Sequence, residues 1–219
     1  MTASTPPALR YRTVPVTPFA QNCSIVWCEA TRQAAIIDPG GDLPRIEAAL
    51  RELGVTPTQI WLTHAHIDHA GGTAELSQRL GLPVIGPHPG DQFWIDALAT
   101  QSRQFGFPPA EPFTPTRWLA DGDQVTVGDC TLAVRHCPGH TPGHVVFHSV
   151  QAQRAFVGDV LFAGSVGRTD FPGGDFDTLI ASITQRLWPM GDDTVFIPGH
   201  GPESSFGRER RFNPYLAGT

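Results

Sequence analysis

Between the apolar run Ile60-Trp61-Leu62 and a helix-forming stretch that begins at Gly71, the chain places Thr63-His64-Ala65-His66-Ile67-Asp68-His69. Three imidazoles and a carboxylate are thus crowded into six positions at a strand-to-helix junction. If the strand runs on into this loop, His64 and His66 share a face, and Asp68 and His69 begin the turn into the helix. So disposed, the segment can present ligands to two adjacent metal ions. A polar strand end with Asp68 as a helix cap accounts for one or two of these positions. Four metal-type side chains, followed by Gly71 and Gly72 that permit close backbone approach, favour a metal site.

Further ligands should come from other strand ends, and three segments offer them: Pro138-Gly139-His140-Thr141-Pro142-Gly143, Gly158-Asp159 and Pro198-Gly199-His200-Gly201. Each follows an apolar run and sits in a glycine-bearing turn. A lone His or Asp there is ordinarily a turn residue. Their joint presence beside the first motif raises them to candidate ligands.

The rest of the chain reads as a frame for these turns. YRTVPVTPF, NCSIVWC and QAAIID are short extended segments, and Leu43, Ile46, Leu50 and Leu53 at spacings of three and four predict a helix closed by Gly54. IWLTH predicts a buried strand, GGTAELSQRLG a helix ended by Gly81, PVIG a short strand, and residues 91–103 a weaker helix. After a proline-rich loop at 106–116 come strand-like runs in RWLADGDQVTVGDCTLAVRHCPG, then HVVFHSV and RAFVGDVLF as strands. DFDTLIASITQRLW predicts a helix, TVFIPGH a last strand, and the charged tail a short helical turn. The repeated order of strands then helices suggests two similar halves packed sheet on sheet, and helices outside both sheets would give four layers.

Composition narrows the chemistry. All 15 basic residues are Arg, which excludes Schiff-base lysine chemistry and a P-loop lysine. A net charge of −6 with scattered Arg lacks the basic footprint of nucleic-acid binders. No apolar run reaches the roughly 18 residues of a membrane span, and MTASTPPALRYR has no apolar targeting core. The four cysteines, Cys23, Cys28, Cys130 and Cys137, include no C-x-x-C pair and read as reduced thiols, which suggests a cytoplasmic protein. With 219 residues the chain predicts a single domain, and its oligomeric state is left open.

The pattern His64-x-His66-x-Asp68-His69, then His140, Asp159 and His200, resembles the metallo-β-lactamase fold superfamily over nearly the whole chain. The resemblance implies a four-layer αββα sandwich of two mixed sheets packed face to face with helices outside. It implies His64, His66 and His140 on one metal, Asp68, His69 and His200 on the other, and Asp159 bridging. GDVLFAGSVGRTDFPGGD and IPGHGPESSFGRERRFNPYL are similar to the short, single-domain bacterial form of the glyoxalase II (hydroxyacylglutathione hydrolase) family. The long form of that family has a C-terminal helical domain that helps bind glutathione, and the resemblance to the short form predicts that this domain is lacking here. Arg168 stands where the long form commonly has a glutathione-contacting lysine.

Nitrogen and oxygen ligands suit two divalent ions, zinc first, with iron or manganese also compatible. Two such ions, with Asp68, Asp159 and a bridging hydroxide, leave the site about one unit positive, which would draw in a small anionic thioester. A metal lowers the pKa of water from 15.7 toward about 7, giving a hydroxide nucleophile with Asp68 and Asp159 as the catalytic carboxylates. A thiol leaving group, with a pKa near about 8.5, departs without a dedicated acid. The expected activity is hydrolysis of S-D-lactoylglutathione or a related hydroxyacylglutathione. Rival readings on the same fold are a mono-iron persulfide dioxygenase, against which His200 between glycines argues, and a lactonase or β-lactamase.

Other residues carry weaker expectations. Cys137 reads as an apolar neighbour of the site, and His144 and His148 as strand-face histidines. Asp38 reads as support for a ligand or as a turn former. Arg168 and Asp170 read as an ion pair or as substrate contacts. The segment 88–107, with Phe93, Trp94, Phe105 and Phe107, reads as core or lid, and Arg208, Arg210 and Arg211 as a solvated face.

Overall fold

The computed structural model describes residues 8–216; residues 1–7 of the amino-terminal stretch read above for a targeting core lie outside them. β1 (Leu9–Val16), β2 (Gln21–Cys28) and β3 (Gln33–Ile37) form an antiparallel meander. α1 (Leu43–Leu53) then carries the chain to β4 (Thr56–Trp61), which pairs with β3 in parallel. α2 (Ile67–Ala70) and α3 (Thr73–Leu80) lead to β5 (Val84–Ile85), parallel to β4 and last in the order β1-β2-β3-β4-β5. α4 (Gln92–Asp96) and α5 (Leu98–Phe105) follow.

The second half repeats the plan. β6 (Gln124–Val127), β7 (Cys130–His136), β8 (Val145–Ser149) and β9 (Arg154–Gly158) are antiparallel neighbours. A hairpin of β10 (Leu161–Phe162) and β11 (Ser165–Val166) and the helix α6 (Phe176–Ser182) precede β12 (Val195–Pro198), which joins β9 in parallel. β13 (Ser204–Ser205) closes the order β13-β12-β9-β8-β7-β6, and α7 (Phe206–Phe212) follows it. Both sheets are therefore mixed, as expected.

Strand alternation builds the layers, because successive side chains point to opposite faces. In β2, Cys23, Ile25 and Trp27 pack with Leu43, Ile46 and Leu50 of α1, Leu76 of α3 and Leu98 of α5. Val26 and Cys28 point the other way, into an interface between the sheets that includes Trp61, Leu132, Phe147 and Phe156. In β8, Val146 turns outward with Val157 and Phe196 to meet Leu179, Ile183, Leu187 and Phe206. Three apolar interfaces make four layers: helices, sheet, sheet, helices.

Several element boundaries differ from those predicted. β4 stops at Trp61, so His64 and His66 lie in irregular backbone beyond the strand, and His66 rather than Asp68 occupies the N-cap position of α2. The predicted helix at 91–103 is split at Ala97, a break that lets Trp94 and Ile95 of α4 and Leu98 of α5 enter the same core. The helix after Asp175 passes into a π-helical stretch at Ile183–Leu187. RAFVGDVLF is two elements, because Gly158 takes a left-handed φ of 48° that turns Asp159 out of the ladder. A Cβ at Gly158 would also meet Thr63 Oγ1 at 2.6 Å and His144 Nε2 at 2.7 Å.

Candidate metal centre

β7, β9 and β12 run in one direction, since β7 and β9 are each antiparallel to β8 and β12 is parallel to β9. Their C-terminal ends therefore share one edge, and His140, Asp159 and His200 lie just beyond it. The C-terminal ends of the parallel pair β3 and β4 supply Asp38 and the His64–His69 segment. The two edges are tied together where Asn22 N–H of β2 donates to Gly199 O at 2.7 Å and the Asn22 amide donates to Pro198 O and Gly201 O. All seven predicted site residues converge there. His64, His66 and His140 bring ligand atoms within 4.8 Å of one another, as do Asp68, His69 and His200.

The hydrogen bonds fix which imidazole nitrogen is free. His69 Nδ1 donates to Asp38 Oδ2 at 2.9 Å, His140 Nδ1 to Arg168 O at 2.7 Å and His200 Nδ1 to Phe19 O at 3.2 Å. Thr63 Oγ1 gives its proton to Asp38 Oδ2 at 2.6 Å, so at 3.0 Å it accepts from His64 Nδ1. In each of these four rings Nδ1 is thus anchored, and Nε2 is the nitrogen turned toward the other candidate ligands. His66 Nδ1 faces His140 Nε2 at 2.9 Å.

Asp159 joins the two groups. Its Oδ2 lies 3.6 Å from His140 Nε2 and 3.6 Å from His200 Nε2, and its Oδ1 lies 3.2 Å from His69 Nε2. Asp68 Oδ2 lies 3.0 Å from His200 Nε2. Burial, reinforced by neighbouring imidazoles, holds His64 and His66 well below the ordinary histidine range, so both are neutral and able to ligate. Burial also opposes charge on His69, but the Asp159 and Asp68 carboxylates outweigh it and hold His69 well above that range. For Asp159 burial acts against ionisation, and the imidazole of His69 more than offsets it, so its carboxyl lies below the usual carboxylate range.

His64 Nε2 and His66 Nε2 are buried without a hydrogen-bond partner, and His69 Nε2 and Asp159 Oδ1, equally buried, face each other at 3.2 Å. An unsatisfied buried polar atom costs about 1–3 kcal/mol, so two beside a buried carboxylate mark a site built for cations. The donor set is imidazole and carboxylate, which fits divalent ions such as zinc, iron or manganese.

A set of supports that sequence reading missed, or left undecided, surrounds these residues. Asp38 is buried and accepts from Thr63 N–H at 2.7 Å as well as from Thr63 Oγ1 and His69. Asp91 Oδ2 accepts from Ala65 N–H at 3.0 Å and Thr141 Oγ1 at 2.9 Å, while its Oδ1 accepts from Gly143 N–H at 2.6 Å. It thereby ties the His64–His66 loop to the His140 loop. Gln101 clamps the backbone on both sides of His66, accepting from Ile67 N–H and donating to Ala65 O. His144, read above as a strand-face residue, precedes β8, stacks on His64 at 4.6 Å and accepts from Asp159 N–H at 3.1 Å. Nothing in the local sequence of Asp91, Gln101 or His144 distinguishes them, because their partners are distant in the chain. Behind Asp68 the backbone of Gly40 approaches so closely that a Cβ would lie 1.5 Å from Asp68 O.

A cavity of about 510 Å³ opens onto His66, Asp68, His140, Asp159 and His200. Arg168 borders it, holding Asp170 through two hydrogen bonds of 2.9 and 2.7 Å. The lid-or-core segment divides: Trp94 is buried, whereas Phe93 and Phe105 remain exposed and Phe107 packs partly buried on the core. All four cysteines are buried and none is in a disulfide; Cys137 sits in the apolar layer beneath α6, where burial pushes its thiol up to about 12. His148 is buried on β8, and Arg208 and Arg210 lie on the exposed face of α7. No helix of the described residues is long and apolar enough to cross a membrane.

The model of the metallo-beta-lactamase superfamily matches residues 16–200, a span that contains all seven converging residues. The chain is 43% identical over 204 residues to the hydroxyacylglutathione hydrolase GloC of Haemophilus influenzae, covering 93% of this chain and 96% of that protein. Among solved structures it is similar to the BLEG-1 B3 metallo-beta-lactamase, with a TM-score of 0.88 and 35% identity over 95% of this chain and 100% of that one. It is also similar to TTHA1623 in a di-iron-bound form, with a TM-score of 0.85 and 38% identity over 94% of this chain and 100% of that one. With the fold, the convergent ligand atoms and these likenesses in agreement, the chain belongs to the metallo-beta-lactamase superfamily.

Proposed function

We propose that this protein is a binuclear metal-dependent thioester hydrolase acting on hydroxyacylglutathiones such as S-D-lactoylglutathione, the adduct through which methylglyoxal is detoxified. One observation carries the binuclear reading: Asp159 Oδ2 stands at 3.6 Å from an inward-facing nitrogen of each ligand group, so one carboxylate would serve both. The likeness to GloC supports the substrate class, and the di-iron form of TTHA1623 keeps iron beside zinc and manganese as the metal. The buried cysteines, none of them in a disulfide, are in keeping with a reducing cytoplasm.

His64, His66 and His140 would hold one ion, Asp68, His69 and His200 the other, and Asp159 both. When bound, such ions supply Lewis acidity and make water acidic enough to give a nucleophile at neutral pH. The chain's own part is orientation. Asp38, Thr63 and the carbonyls of Arg168 and Phe19 keep the Nδ1 protons in place, so that each Nε2 faces inward. In the reaction water adds to the carbonyl carbon and the C–S bond breaks. The sulfur keeps the electron pair and leaves as a thiolate, which needs no proton donor from the chain.

The deciding experiment is metal analysis of the purified protein together with thiol release from S-D-lactoylglutathione, run beside nitrocefin and a lactone. Two metal equivalents with selective thiol release are expected. One iron per chain with oxygen uptake on glutathione persulfide, or equal slowness on all three hydrolytic substrates, would overturn the assignment.

A further inference from the structure

We infer that the cavity selects thioesters with a large apolar, aromatic acyl group over small ones such as lactoyl; this rests on the hydrolase reading above. The scissile carbonyl has to lie among His66, His140 and His200, the cavity-lining members of the two ligand groups. Aromatic rings lie against both candidate ligand groups. Phe171 packs 5.0 Å from the His66 ring and 6.4 Å from the His140 ring, and Trp94 packs 4.6 Å from His66 and 6.3 Å from Phe171. At the second ligand group Phe162 packs 6.2 Å from the His200 ring. A thioester whose carbonyl lies at this position therefore has aromatic surface within reach of its acyl substituent.

Two of the polar side chains that line the cavity, those of Gln101 and Arg168, are engaged within the fold. The Gln101 carboxamide accepts from Ile67 N–H and donates to Ala65 O and Trp94 O. The Arg168 guanidinium is paired through Nε and Nη2 with both oxygens of Asp170 and lies 4.5 Å over the Phe171 ring. Phe19 and Phe105 extend the aromatic lining outward, their rings 6.3 Å apart and nearly perpendicular. A cavity of about 510 Å³ has room for a ring beside the reacting centre that a methyl group leaves unfilled.

The test compares S-mandeloylglutathione with S-D-lactoylglutathione on the metal-loaded enzyme, two substrates that differ by a phenyl ring in place of a methyl group. A kcat/KM about tenfold or more higher for the mandeloyl ester is expected, the size of effect that one well-filled apolar pocket supplies. In Phe171→Ala or in Phe162→Ala that ratio should fall below about threefold; if either fails to fold, Phe171→Leu and Phe162→Leu take their place. Equal or faster hydrolysis of the lactoyl ester, or a ratio unmoved in both variants, overturns the inference. Calorimetry with the product acids gives an independent arm, with mandelate expected to bind about tenfold tighter than lactate. Equal binding overturns the preference, whereas a protein that binds mandelate tightly but cleaves neither thioester overturns the hydrolase reading alone.

Discussion

Asp38 accepts a 2.9 Å hydrogen bond from His69 Nδ1 with both side chains buried, which directs the opposite nitrogen of the ring toward Asp159. Asp38 has a left-handed φ of 53°, a conformation that Asn tolerates as well as Asp. Asp38→Asn thus removes the carboxylate without straining the backbone. We expect it to weaken metal binding by about 10- to 100-fold, read by competition with a chromophoric chelator. Unchanged affinity would show that His69 needs no such support.

Asp159→Ala should remove most of the metal and nearly all thioesterase activity, because one carboxylate lies beside both ligand groups. Cys137→Ala should keep both, since its thiol is buried in the apolar layer beneath α6. Elemental analysis and a thiol-release assay on the two variants check this pair of outcomes. Full turnover by the Asp159 variant would remove the bridge from the site.

Asp91→Ala should destabilise the fold by about 3 kcal/mol, because it strands two backbone N–H groups and a hydroxyl that now bond a single buried carboxyl group. For a chain of this size that is a fall in Tm of about 6–12 °C by calorimetry. Activity should fall as well, since the His64–His66 and His140 loops lose their shared tie.

The same group gives a pH dependence. Burial pushes the Asp91 carboxyl up to about 6, against the pull of its bonds from Thr141, Gly143 and Ala65. A pKa raised on folding means that the native state holds the proton more tightly than the unfolded chain, so this contribution is present below about 4 and is lost as pH rises through about 6. The stability margin of the wild type over Asp91→Asn, both metal-free, should therefore shrink between pH 4.5 and pH 7 in urea titrations. A margin that grew over that interval would contradict the assignment.

Gly40→Ala should abolish metal retention or folding, because the added carbon would lie 1.5 Å from Asp68 O and drive α2 away from β3. Arg168→Ala, by contrast, removes an exposed ion pair with Asp170 and a stacking contact on Phe171, and should shift Tm by no more than about 2 °C. Differential scanning fluorimetry on the two variants, with metal content, distinguishes a steric keystone from a surface contact.

Much of the frame was legible because its signals are local. Spacings of three and four in Leu43, Ile46 and Leu50 gave α1, and the order of strands and helices gave the two halves. Where a tertiary partner intervenes, boundaries moved: β4 ends before the histidines, and Gly158 breaks the predicted strand so that Asp159 can leave it.

The seven converging residues were readable because histidines and aspartates in glycine-bearing turns after apolar runs are chemically conspicuous, and their order along the chain matches one family. The supporting residues were silent. Asp91 meets Thr141 and Gly143 some fifty positions away, and Gln101 reaches back to Ala65 and Ile67. His144 looks like any residue beside a strand until its ring is found stacked on His64. The sequence by itself determined which seven side chains are candidates for ligation and the layered frame, since both are written in residue type and spacing. Only the tertiary structure decided which nitrogen of each imidazole is free, what braces it and what walls the cavity, because hydrogen bonds and ring contacts depend on distances that the order of residues does not record.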